Sequence, residues 1–103
     1  MTLGELIKRL EKADQDQVCP WGWHNPHSYR GYYDQLAFEP KENVEVREML
    51  ACAKKALGTT YEGWKGGEFK MEEYTDVWIA EQGRCGDQIS HMLLNYMLGE
   101  ETA

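Results

Sequence analysis

The densest chemistry in the sequence lies between Trp21 and Pro40, where WGWHNPHSYRGYYDQLAFEP holds six aromatic rings, two histidines and one arginine. A core strand has no use for the arginine and a solvated loop has no use for the rings, whereas a bound planar anion uses both. Arg30 follows Tyr29 and precedes Gly31-Tyr32-Tyr33. A guanidinium offers a fork of donors to phosphate and stacks on aromatic or purine faces, so an arginine among tyrosines suits a phosphorylated nucleotide. The competing reading pairs Arg30 with a carboxylate of this acidic chain and leaves the tyrosines to cover a sheet.

A second stretch, YEGWKGGEF from Tyr61 to Phe69, resembles a binding loop. Its glycines, Gly66 and Gly67 among them, expose backbone N–H groups that can cradle an anion, while Trp64 and Phe69 supply ring faces and Lys65 a positive charge. Read blandly, it is a hairpin turn. It has neither the Walker spacing nor a GxGxxG element. Trp21 and Trp23 share strand parity and so one face, either as a hydrophobic ridge or as the wall of a pocket; Trp78, within TDVWIA, reads as core or interface. Cys19, His24 and His27 lie close in sequence, but Cys-x4-His-x2-His is not a zinc spacing. No GxSxG elbow, HExxH helix or paired HxT element accompanies the three histidines, so the sequence points to binding without catalysis, metal or cofactor.

Eleven basic residues against eighteen acidic ones give a formal charge of -7. That repels long nucleic acid and anionic membranes, yet permits a small anion held by one or two arginines and a few amides. No run of 18 apolar residues occurs, and the opening MTLGELIKRLEKAD carries acids and no apolar block, which leads us to expect a cytoplasmic protein. Three cysteines without a CxxC pair read as free, partly buried thiols. At 103 residues the chain is expected to form a single domain. Four tryptophans, six tyrosines and five methionines are a large apolar load for that length, and a homodimer or higher homo-oligomer is the expected outlet.

The elements that must position these groups follow from periodicity. TLGE is a capping box, and Leu3, Leu6, Ile7 and Leu10 at helical spacing predict a helix over 3–13. Val46, Met49, Leu50, Ala53 and Leu57 predict a helix over 46–57 closed by Gly58. Pro20 and Gly22 interrupt a first strand, YYDQLAFEP reads as a second that Pro40 stops, and the 24–31 segment reads as their hairpin loop. Segments around 59–64, 68–71 and 75–80 read as extended, and DQISHMLLNYMLGE as a helix ending at Gly99, with a short extended start as the alternative. Together these predict an α+β fold: a small antiparallel sheet, built mainly from 18–38 and 59–80, with two or three packed helices.

NPHSYRGYYDQLAFEP together with TYEGWKGGEFKMEEYTDVWIA resembles the viral anti-Thoeris sponge family (Tad one), over roughly residues 18 to 86, with SYRGYYD the most specific part. The resemblance implies a non-enzymatic immune-evasion protein of bacterial viruses. It would sequester cyclic ADP-ribose isomers, with some relatives also holding cyclic oligonucleotides at a separate site, and would work as an α+β homodimer or hexamer in the infected host's cytoplasm. On that reading Arg30, and Arg84 as a second arginine, meet phosphate. Tyr29, Tyr32, Trp64 and Phe69 offer stacking faces, and Lys65, Gly66 and Gly67 complete the loop. A small phosphodiesterase-like hydrolase of nucleotide signals and a structural protein with an aromatic core are the alternatives.

Overall fold

Thr2 and Glu5 cap the first helix reciprocally: the Glu5 N–H donates to the Thr2 hydroxyl at 3.3 Å and the Thr2 N–H to the Glu5 carboxylate at 3.0 Å. Two donors that a helix end otherwise leaves open are thereby satisfied. The structure, a computed structural model, describes residues 1–30, 34–62, 66–81 and 84–99. Helix α1 spans Leu3–Glu11 and buries Leu3, Leu6, Ile7 and Leu10, the four residues its periodicity selects. It stops two residues short of the expected end, with Lys12 as C-cap.

Strands β1 (Val18–Ser28) and β2 (Leu36–Glu45) form a long antiparallel pair, followed by α2 (Val46–Ala56). The 24–31 segment is not the hairpin loop. β1 continues through it, absorbing the irregularity as a register shift between His24 and Pro26 where Asn25 takes a left-handed φ of 45°. Nor does Pro40 end β2: it lies opposite Trp23, and the strand on the other side of β2, β5 (Val77–Ile79), pairs only with Leu36, Ala37 and Phe38. Beyond that point the β5 side of β2 has no ladder to lose, which is where a strand tolerates a missing N–H. The expectation of a strand at Tyr32-Tyr33 falls outside the described residues.

After α2 the chain makes a two-stranded ribbon, β3 (Thr60–Glu62) and β4 (Glu68–Lys70), then β5 (Val77–Ile79), β6 (Asp87–Gln88) and α3 (His91–Met97). The main sheet has the order β1-β2-β5-β6, so the 59–71 region forms its own sheet instead of joining that one as expected. Most pairings are antiparallel, but β2 and β5 run parallel, with Leu36 opposite Val77. A parallel pair needs a long return connection, and α2 with the ribbon supplies it. The extended start of the last segment is β6, and Gly99 follows α3 with a φ of 70°.

The fold is thus a small α+β one in which three helices accompany a mostly antiparallel sheet. Met49 and Ala53 of α2, Phe38 of β2, Val77 of β5 and Leu94 of α3 meet α1's leucines in one core. Each fully buried leucine or phenylalanine there contributes about 1.5–3 kcal/mol. Trp21 and Trp23 part company despite their shared parity: Trp23 is wholly buried against Phe38, with 5.4 Å between ring centroids, whereas Trp21 is 61% exposed. Gly22 lies between them, and a Cβ there would sit 2.9 Å from the Met49 sulfur. The strand presses on α2 at that glycine, so simple alternation fails. Among the described residues no helix is long and apolar enough to cross a membrane.

Candidate functional site

The bulge at Asn25 opens one wall of a cavity of about 410 Å³. Asn25, Pro26 and His27 come from β1, Glu39 from β2, Lys55 from the last turn of α2, and Thr59 and Tyr61 from the approach to and middle of β3. That volume falls within the range of small-molecule sites, about 300–1,000 Å³. The lining combines a ring face on Tyr61, an ammonium on Lys55, a carboxylate on Glu39 and an amide on Asn25, which is a set for binding a polar planar molecule.

Local structure fixes several of these groups. The Asn25 amide donates to the Glu39 carboxylate at 3.4 Å, and His24 Nε2 lies 3.7 Å from the same oxygen. The Thr59 hydroxyl donates to the Lys55 carbonyl and ties the chain leaving α2 back onto its last turn. Tyr61 faces Phe69 across the ribbon, and both half-buried rings pack against the core. Burial pushes the Tyr61 hydroxyl up, so its ring meets an incoming anion as a neutral phenol at neutral pH. Burial also pushes the Cys52 thiol up, while a hydrogen bond from the Asn25 backbone pulls the other way. The net effect keeps that thiol protonated and weakly nucleophilic.

His27 is buried at the back of the cavity, with Nε2 3.0 Å from the Ala80 carbonyl and Nδ1 3.0 Å from the Ser28 carbonyl. Both neighbours are backbone carbonyls that accept, so the ring N–H can donate to Ala80 and tie β1 to the residue after β5, or donate to Ser28 within its own strand. Among the described residues no cluster of three or more His, Cys, Asp or Glu is placed to hold a metal ion.

The described residues that the sequence singled out lie at the end of β1, in and before β4, and after β5. Tyr29 is 3% exposed, its ring stacked on Trp78 with 4.3 Å between centroids and 9° between planes. Its hydroxyl accepts from the Gly86 N–H at 3.2 Å and lies 3.4 Å from the Gly86 carbonyl. Tyr29 is therefore a clamp holding the end of β1 against the 78–86 segment; a purine cannot take the face on Trp78 without displacing that indole. Arg30, the next residue, is exposed. Phe69 anchors the ribbon to the core through one side of its ring. Gly66 and Gly67 are exposed, with φ of 92° and 86°, the left-handed region that glycine enters without strain. Arg84 is exposed and its Nε lies 3.5 Å from the Glu81 carboxylate. Tyr32, Trp64 and Lys65 lie outside the described residues.

Asn25, Glu39, Lys55, Thr59 and Tyr61 were not selected by sequence reasoning. Asn25-Pro26 was the available signal, since asparagine tolerates a left-handed φ, but it reads equally as a turn. Comparison with protein-family models, curated proteins and solved structures finds no match to this chain.

Proposed function

We propose that the protein binds and sequesters a cyclic adenine-nucleotide signal, a cyclic ADP-ribose isomer foremost, without converting it, and so blocks bacterial defence signalling in the cytoplasm of a virus-infected cell. The observation that carries this reading is the cavity between β1 and β3. It sets Asn25, Pro26 and His27, which precede Arg30 in sequence, against Thr59 and Tyr61, at the start of the stretch read as a binding loop. From His27 the chain runs through the buried Tyr29 to Arg30, and from Tyr61 it runs through the ribbon to Gly66 and Gly67. Phosphate at Arg30 and a base at the cavity is the arrangement these positions favour. The forked, charge-assisted bonds of a guanidinium match a phosphate, while stacking is largely indifferent to the distant acids that make up the charge of -7.

A homodimer belongs to the same proposal. Val18, Trp21, Met92 and Tyr96, four large apolar side chains exposed in one chain, sit on β1 and α3. Trp21 and Tyr96 flank a cleft of about 330 Å³ lined also by Ile79, Leu93 and Met97. The same cleft is edged by Lys41, Glu42 and Asp87, and a second copy of the chain is the occupant we assign to that face: joined there about a two-fold axis, two molecules bury the exposed rings against each other and can set the lysine of one against the acids of the other.

The test is incubation with cyclic ADP-ribose isomers and cyclic di- and trinucleotides, followed by denaturation and chromatography of what is released. A sponge returns the signal intact in proportion to protein, and new products in excess over protein identify a hydrolase instead. A plain structural protein retains neither. Calorimetric titration of the same set selects the ligand.

A further inference from the structure

We propose that Glu39 is the specificity-determining residue of the β1–β3 cavity, reading the amino group at C6 of an adenine ring; this rests on the proposed function. The carboxylate lines the cavity wall across from the ribbon that carries Tyr61. One of its oxygens is contacted by the Asn25 amide at 3.4 Å and by His24 Nε2 at 3.7 Å, and the side chain is 27% exposed. An ionised carboxylate is acceptor-only with about four lone-pair positions, so contacts on one oxygen leave acceptor capacity for a ligand.

The rest of the cavity fits one orientation of the ligand. Tyr61 presents a half-buried ring for the base to lie against, and Lys55 brings an ammonium at the end of α2. An exocyclic amine directed at Glu39 places a donor on an acceptor and keeps the anionic part of the nucleotide away from a like charge. The reversed pose sets phosphate against carboxylate, which repels it. Asn25 gives the arrangement its rigidity. It occupies the left-handed region at a bulge, and conformations of that kind are kept where the surroundings hold them and cluster at ligand sites.

A hypoxanthine ring carries a carbonyl oxygen where adenine carries the amine. Facing Glu39, it sets acceptor against acceptor and leaves the carboxylate without its donor. A hydrogen bond to a charged group sets the expected preference for the adenine form at roughly 10- to 100-fold. Cyclic ADP-ribose and its inosine counterpart, both closed through a glycosidic bond at N1 so that neither base carries a hydrogen there and the C6 group is what differs, are titrated by calorimetry into the full chain and into Glu39→Gln, with circular dichroism confirming that the variant folds. The expected result is tighter binding of the adenine form by wild type and a compressed ratio in Glu39→Gln, whose amide can either accept or donate. Equal affinity of the two ligands for wild type overturns the inference while leaving sequestration standing. A preference that survives unchanged in Glu39→Gln likewise removes Glu39 as the reader. If neither ligand binds wild type, the functional reading falls and this inference with it.

Discussion

Arg30 and Tyr29 are neighbours in sequence with opposite fates, and substitutions separate them. Arg30 is exposed, so Arg30→Ala is expected to shift the unfolding transition little and to weaken nucleotide binding by about 1 kcal/mol, the order for a charge pair that water still reaches. Calorimetry beside a denaturant melt checks both halves of that statement. Tyr29→Phe is expected to do the reverse. The stack on Trp78 survives, but the N–H of Gly86, an exposed residue, exchanges the tyrosine hydroxyl for water, and stability falls by about 0.5–1.5 kcal/mol. Gly86 itself admits no side chain: a Cβ there would lie 1.9 Å from the Ile79 carbonyl oxygen, whereas at Gly22 the nearest atom is the flexible end of Met49. Gly86→Ala should therefore destabilise more than Gly22→Ala, which overpacking puts at about 1–3 kcal/mol. Urea midpoints of the two variants in the opposite order would contradict the backbone contact at Gly86.

At the scale of elements, the capping box of α1 makes a prediction about acid. Bonds from Thr2, first its backbone N–H and then its hydroxyl, hold the Glu5 carboxyl below the usual carboxylate range. A lowered folded value means that the ionised form contributes stability at neutral pH and that this contribution is lost as pH falls through the lowered value. Glu5→Gln should accordingly melt below wild type at pH 7, with the gap closing as the pH falls from the usual carboxylate range through the lowered value; a gap independent of pH would point to shape alone. Such elements were legible because their signals are local: Thr2 and Glu5 are three residues apart, and the apolar positions of α1 and α2 repeat within two turns. The sheet was less so. Pro40 reads as a stop until β5 is seen to pair only with Leu36, Ala37 and Phe38, and NPHS reads as a turn until β2 is seen to carry β1 through it. The cavity was least legible of all, because β1, β2, α2 and β3 each contribute to it and no stretch of sequence contains it.

For the whole molecule, the proposed pairing through β1 and α3 implies that a charge placed in the middle of that face separates the copies. Trp21→Glu removes a side chain that is 61% exposed and packs little within its own chain, so the monomer fold should survive. Light scattering at micromolar concentration is expected to give twice the chain mass for wild type and the 12.0 kDa chain mass for the variant. Wild type at the single-chain mass would remove the dimer. The start of α1 is also stitched to a distant part of the chain: the Leu3 N–H donates to the Thr75 carbonyl at 2.7 Å, the Gly4 N–H to that of Glu73 at 2.9 Å, and Thr2 bridges Asp76. This seam sets a clock during synthesis. A nine-residue helix is marginal alone, and at about 5–20 residues per second its partners leave the ribosome roughly 4–14 s after it does. Helix α1 is therefore secured in two stages, its leucines meeting Met49 and Ala53 of α2 before residues 73–76 are there to close the seam.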